Sequence, residues 1–246
     1  MTDELVRPAA LPNRDESGMP PRVGGRAVRP RHAATLMLVR RDQAKPQVLM
    51  GRRGAGHVFM PDKWVFPGGR IDPSDYKAPH STDLKPEVLV QMQHGAPSNT
   101  PAHKARALAM AAIRETFEEA GLLLAKPGPT RSAMGPWRDF LKQGVMPDLE
   151  ALTYIARAIT PPMVPKRFDA RFFMADASRL VSLERQPDCG ELDEIAWFDL
   201  DKALELDLPT VTRIVLKEID QRLDHPDRIV PFLRTQRGKR GAFPSF

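Results

Sequence analysis

Cysteine is almost absent from this 246-residue chain, and the one present, Cys189, cannot form an internal disulfide. That excludes the disulfide-stapled secreted scaffolds. No run of about 18 apolar residues exists to cross a bilayer as a helix. The opening Met1-Thr-Asp-Glu-Leu-Val-Arg7 places acidic residues where a secretory leader needs basic ones, and no apolar core follows it. The closing Pro244-Ser-Phe246 is not a Ser-Lys-Leu address. The expectation is a reduced, cytoplasmic protein that makes no membrane contact. Acidic residues are slightly outnumbered, 31 against 37 basic ones, for a formal charge of +6. Such an excess suits phosphorylated small molecules as readily as nucleic acid. No stretch of basic residues interleaved with aromatics supports nucleic acid strongly, however, which disfavours it as the partner. What is present is ordinary for a globular chain: 41% hydrophobic and 28% charged residues, enough for one domain with extensions or two small ones.

Hydrophobic periodicity is missing from residues 1–31, which carry Pro8, Pro12, Pro20, Pro21 and Pro30 and are expected to form a flexible tail. A domain over 32–224 follows, and then a basic tail over 225–246 with Arg228, Arg234, Arg237, Lys239 and Arg240, expected to wrap loosely on it. The apolar runs 33–39 and 47–50, separated by a hairpin-length polar stretch, predict two paired strands. A short strand over 63–69 is stopped by Pro67 and opened by Gly68 and Gly69. Residues 72–101 resemble an insertion with one helical piece over 86–92. Residues 103–120 predict the strongest helix, with Gly121 placed to cap it. Further strands are predicted over 152–159, 170–175 and 194–198, and helical segments over 134–143, 199–206 and 210–223.

On the strongest helix Glu115, Glu118 and Glu119 fall within an arc of about 100°, because residues three and four apart share a face. Met110, Ile113 and Phe117 lie opposite, so packing that stripe on a sheet would aim the acids at a cleft. Carboxylates on adjacent turns repel unless cations compensate, and oxygen ligands without neighbouring His or Cys suit Mg²⁺ or Mn²⁺. Arg114 can orient one carboxylate through its planar fork. The same four charges could equally form a solvated helix face, and the acids alone do not decide between the two.

Their surroundings add to them. Gly68-Gly69 upstream and Arg114-Glu-Thr-Phe-Glu-Glu-Ala-Gly-Leu122 on the helix resemble the Nudix box, Gly-x5-Glu-x7-Arg-Glu-U-x-Glu-Glu-x-Gly-U with U apolar, Thr116 being the soft U position. The box is split: 44 residues separate Gly69 from Arg114 where the family pattern has 13, an excess of 31. Asp75 stands at the position of the family's first glutamate, on a shorter arm. Such a split box is similar to the Nudix branch of peroxisomal coenzyme A diphosphatase-like enzymes, as are Phe59-Met-Pro61, Ile159-Thr-Pro-Pro162 and Arg167-Phe-Asp-Ala-Arg-Phe-Phe173. The coenzyme A signature of other Nudix enzymes is met in part: Arg53 holds its first arginine, Val58 stands at its second and Asp62 at its glycine.

The resemblance covers residues 33–206 and implies a Nudix-type α/β/α sandwich around a mixed sheet, with an insertion inside the box. It further implies metal-dependent cleavage of a diphosphate in a nucleoside diphosphate derivative, coenzyme A or its acyl esters among them. Nucleotide sugars, ADP-ribose and NADH are alternative substrates; a non-catalytic ligand sensor and an RNA-processing protein are alternative roles. Glu115 and Glu119 would be the main ligands of Mg²⁺ or Mn²⁺, Glu118 a further ligand or base, and the Gly69 carbonyl a backbone ligand. Family members also recruit a distal acid, for which Glu191 and Glu194 are candidates, although acids at a strand entrance are commonly just solvated. Arg52, Arg53, Arg167 and Arg171 are candidate phosphate contacts; a hairpin end or surface salt bridges explain them equally well. Dimerisation, common in the family, is a further expectation.

Overall fold

The structure is a computed structural model that describes residues 28–54, 56, 61–94, 100–133, 135–162, 164–186, 192–236 and 239–244. Residues 1–27 of the expected N-terminal tail, and with them Glu191, Val58, Phe59, Met60 and Cys189, lie outside the described residues. Eleven strands and five α-helices follow in the order β1 (Arg31–Arg40), β2 (Gln47–Arg52), β3 (Trp64–Val65), β4 (Gly68–Arg70), α1 (Pro86–His94), α2 (Ala102–Ala120), β5 (Ala125–Pro127), α3 (Arg138–Leu141), β6 (Val145–Pro147), β7 (Thr153–Ile159), β8 (Phe168–Asp176), β9 (Glu194–Asp199), α4 (Leu200–Ala203), α5 (Thr210–Asp224), β10 (Pro231–Gln236) and β11 (Lys239–Pro244).

Nine strands form one mixed sheet in the order β11-β10-β7-β8-β1-β2-β3, with β4 also on β1 and β9 also on β2. β1 runs parallel to β8 and antiparallel to β2 and β4. Its apolar run is continuous because both faces are covered. Ala34, Leu36 and Leu38 pack with α2, whereas Met37 and Val39 pack with Val48, Met50 and the α5 residues Val215, Leu216 and Ile219. The result is the expected α/β/α sandwich.

α2 ends as expected at Gly121, whose φ of 69° is a left-handed cap and whose N–H donates to the Phe117 carbonyl. More of α2 is buried than an apolar stripe predicts: Arg114, Thr116 and Glu119 are buried along with Met110, Ile113 and Phe117. Thr116 tolerates this because its hydroxyl donates to the Ala112 carbonyl one turn back.

The structure departs from the sequence expectations at three places. Residues 231–236 are not a loose tail but a strand, β10, parallel to β7 through Phe232 opposite Arg157 and Leu233 opposite Ala158. The Arg157 guanidinium lies 4.6 Å from the Phe232 ring centroid, a cross-strand contact that no local pattern announces. The insertion, expected to carry only one helical piece, also holds a 3-10 turn (Pro73–Tyr76) and is anchored to the domain. Leu84, Val88 and Met92 enter the core, the Arg106 guanidinium donates to Asp83, and the Thr82 hydroxyl donates to Asp148 at 2.6 Å. The segments 134–143 and 199–206 carry only the short helices α3 and α4, α3 being preceded by a 3-10 turn at Gly135–Trp137.

Candidate active site

Arg114 sits at the centre of the site, buried in α2. Its Nε and Nη2 donate to Asp75 Oδ1 and Oδ2 at 2.9 and 3.1 Å, its Nη1 to Glu115 Oε1 at 2.9 Å and Glu118 Oε2 at 2.8 Å, and its Nη2 also to the Arg70 carbonyl at 2.9 Å. One guanidinium thus ties two helix acids, the strand after the glycines and the start of the insertion. Asp75 is fully buried in a 3-10 turn (Pro73–Tyr76) that Asp72 caps. Its carboxylate also accepts from the Trp137 indole N–H at 2.9 Å and the Asp72 amide at 2.8 Å.

The glycines close the site from the sheet side. Gly68 and Gly69 lie in β4 against β1, and a Cβ on Gly68 would meet the Ala34 carbonyl oxygen at 2.6 Å. A Cβ on Gly69 would meet the Glu115 carboxylate at 2.4 Å, so only glycine lets backbone and carboxylate approach this closely. The Gly68 amide donates to Glu119 Oε2 at 2.8 Å. The two halves of the split box therefore meet in space as one unit.

Burial pushes the Glu115 carboxyl up to about 7; the Arg114 charge opposes this and Glu118 and Asp75 add to it. Burial also works against the Arg114 charge, but its bond to Asp75 and the charges of Glu115, Asp75 and Glu118 outweigh it and raise its pKa. Glu118 is the most open of the acids contacting Arg114, its side chain 33% exposed against 17% for Glu115. Among the described residues no three His, Cys, Asp or Glu side chains already stand as a cage for a metal ion. The donor set nonetheless fits a hard divalent cation. Carboxylate oxygens of Glu115 and Glu119 lie against the glycine strand, Glu118 shares the Arg114 guanidinium with Glu115, and that one cation serves several carboxylates.

Other sequence candidates are placed elsewhere. Glu194 pairs with Arg52 at 3.3 Å. Ile195 and Trp197 of β9 pack with the α2-side core and Phe198 with the α5 side, so alternation turns Glu194 and Arg52 to the face opposite α2. Arg53 follows at the end of β2, where its amide donates to the Lys63 carbonyl and its carbonyl accepts from the Asp62 amide. Asp62, at the glycine position of the coenzyme A signature, has a φ of 58°, the left-handed conformation that glycine adopts without cost. Arg171 is buried, donating to Asp169 and to the Thr100 hydroxyl before α2. That is the opposite end of α2 from Glu115, because β8 alternation puts Arg171 inside beside Phe173. Arg167 donates to the Thr160 and Val28 carbonyls. Neither Arg167 nor Arg171 is brought to the Glu115 cluster. Trp137 falls in the segment 134–143 that the sequence predicts as helical, and nothing in its sequence neighbourhood signals that its N–H meets Asp75.

A family model of the NUDT19 Nudix domain matches residues 30–207. The chain belongs to the Nudix hydrolase family. Among similar Nudix proteins, putative nudix hydrolase 7 of Caenorhabditis elegans is 29% identical over 183 residues, covering 69% of this chain and 51% of that protein. The human acyl-coenzyme A diphosphatase NUDT19 is 27% identical over 207 residues, covering 65% of this chain and 55% of that protein. The crystal structure of a Nudix hydrolase from Alicyclobacillus acidocaldarius superposes with a TM-score of 0.57 at 30% identity, covering 77% of this chain and 90% of that one. The chain spans about half the length of the curated relatives it matches. In this Nudix domain Asp75, six residues after Gly69, holds Arg114 through two hydrogen bonds.

Proposed function

We propose that this Nudix domain hydrolyses the diphosphate linkage of a nucleoside diphosphate derivative, with coenzyme A or its acyl esters as the substrate class. The observation that carries the reading is the closing of the split box: Gly69 against Glu115 and the Gly68 amide on Glu119, across an insertion of 31 residues. The coenzyme A assignment is supported by the named activity of the NUDT19 relatives and by the glycine-like backbone of Asp62 beside Arg53.

Glu115, Glu118 and Glu119 with the Gly69 carbonyl would hold Mg²⁺ or Mn²⁺. When bound, the ion neutralises the pyrophosphate and lowers the pKa of the attacking water. Glu118, more exposed than Glu115, would take the proton of a water that attacks phosphorus in line, which breaks the bridging P–O bond and releases two phosphate-bearing products. Arg114 keeps Glu115 and Glu118 turned the same way while it anchors β4 through the Arg70 carbonyl. Arg53, just after β2, would be the arginine to meet substrate phosphate, because it holds the first arginine position of the coenzyme A signature.

A panel of coenzyme A, acyl esters, ADP-ribose, NADH, nucleotide sugars and nucleoside triphosphates, assayed with Mg²⁺ and with Mn²⁺, tests this reading. Cation-dependent release of two products from coenzyme A or its esters is the expected result. Preferential turnover of ADP-ribose or NADH would replace the substrate class, and turnover of none would leave a ligand-binding module. The single cysteine fits a cytoplasmic setting for such an enzyme.

A further inference from the structure

We infer that Trp137 is a positioning residue for hydrolysis, acting through Asp75 and Arg114 on the acids of α2. This rests on the diphosphatase reading above and adds to it a residue from outside the box. A carboxylate offers about four acceptor sites. On Asp75 all four are used: Oδ1 accepts from Arg114 Nε and Trp137 Nε1, and Oδ2 from Arg114 Nη2 and the Asp72 amide. With Asp75 and Trp137 both buried, no water competes for these sites.

The indole itself is held by edge-to-face packing on Phe140 at 5.2 Å, and Phe140 in turn packs on Phe117 of α2 at 5.3 Å. Trp137 therefore fixes where the Asp75 carboxylate points. Asp75 fixes the plane of the Arg114 fork, whose remaining N–H groups aim Glu115, Glu118 and the strand carrying Gly69. The shorter Asp arm at the box position gives the arrangement its logic. The indole N–H shares Oδ1 with Arg114 Nε, so the short side chain is held by a donor from outside α2 as well as by Arg114. The Trp137 N–H bonds to Asp75 rather than to a helix acid, so its effect on rate passes through the carboxylate it binds.

The test compares Trp137→Phe, Asp75→Asn, their double variant and Phe140→Leu in the full chain. Trp137→Phe keeps a ring and removes the N–H. It is expected to lower kcat about tenfold with KM within about twofold, the scale of one hydrogen bond to an ionised group. The double variant is expected to be no slower than Asp75→Asn alone, because both act through one path. Phe140→Leu, which loosens the same packing without touching Asp75, is expected to lower Tm while kcat stays within about threefold. Unchanged kcat in Trp137→Phe, or losses that multiply in the double variant, would overturn the proposal. A second readout needs no catalysis: in ¹⁵N-labelled protein the Trp137 indole N–H, assigned by its loss in Trp137→Phe, should move on Asp75→Asn. An unmoved resonance would also overturn it. Absence of turnover in the wild type would sink the diphosphatase reading instead, leaving the indole experiment to judge the Trp137–Asp75 link separately.

Discussion

Replacing Asp75 by Asn tests the centre of the site most directly. The carboxylate is fully buried and receives four hydrogen bonds, two of them from Arg114. The amide keeps the shape but removes the charge and turns its own N–H₂ toward donors. Breaking a buried ion pair from one side typically costs about 3–5 kcal/mol. Arg114 retains Glu115 and Glu118, so the lower end, about 3 kcal/mol, is expected. For a domain of this size about 2–4 °C of Tm is lost per kcal/mol, which puts the fall at roughly 6–12 °C. Thermal unfolding followed by calorimetry or circular dichroism measures it, and steady-state hydrolysis well below Tm measures the accompanying loss of kcat. Asp75→Glu, although it restores the family's residue type, adds a methylene to a filled pocket and should also destabilise, by about 1–3 kcal/mol. A shift under about 2 °C with full activity in Asp75→Asn, or a more stable Asp75→Glu, would refute the reasoning.

Glu119→Gln should fold, since the amide oxygen can still accept from the Gly68 amide, yet lose at least about a hundredfold in kcat, the scale of a lost electrostatic group; near-normal turnover in a folded variant would remove Glu119 from the mechanism. Gly69→Ala places a Cβ 2.4 Å from the Glu115 carboxylate and should force that side chain away, raising the Mg²⁺ concentration needed for half-maximal rate while Tm changes little; an unaltered Mg²⁺ titration would contradict this. The Glu115 carboxyl is pushed up to about 7 by burial, from 4.5, so between these values the native state holds a proton that the unfolded chain has lost. Its contribution is therefore fully present below about 4.5 and lost as pH rises through 7, on the order of 3 kcal/mol in chelator. Melting curves at pH 5 and pH 8 should show that fall and Glu115→Gln should flatten it; equal slopes in the two proteins would count against the burial of this charge.

Deleting residues 72–101 would not isolate a role for the insertion in substrate choice, because of what that segment does. It supplies Asp75 to the site and Leu84, Val88 and Met92 to the core, so its removal would unfold the site rather than retune it. Of the basic C-terminal residues, 231–236 became a sheet strand because β7 offered an edge, a fact held in residues 70 or more positions away.

Local pattern carried a large share of the outcome. The apolar runs of β1, β2, β7 and β8, the helix over 102–120 with its Gly121 cap, and the order of glycines, arginine and acids were readable because each depends on neighbours within a few residues. The same periodicity could say that Glu115, Glu118 and Glu119 share a face, but not that Glu119 would be turned to the Gly68 amide and Glu115 wedged against Gly69. It could name four arginines without saying which would be buried on Asp169 and which would pair with Glu194. Those outcomes depend on which strand lies beside which and on competition among buried charges for a limited set of partners. Such competition has no sequence period, because the partners of Arg114 come from chain positions 70 to 118 and meet only after the sheet and α2 have packed.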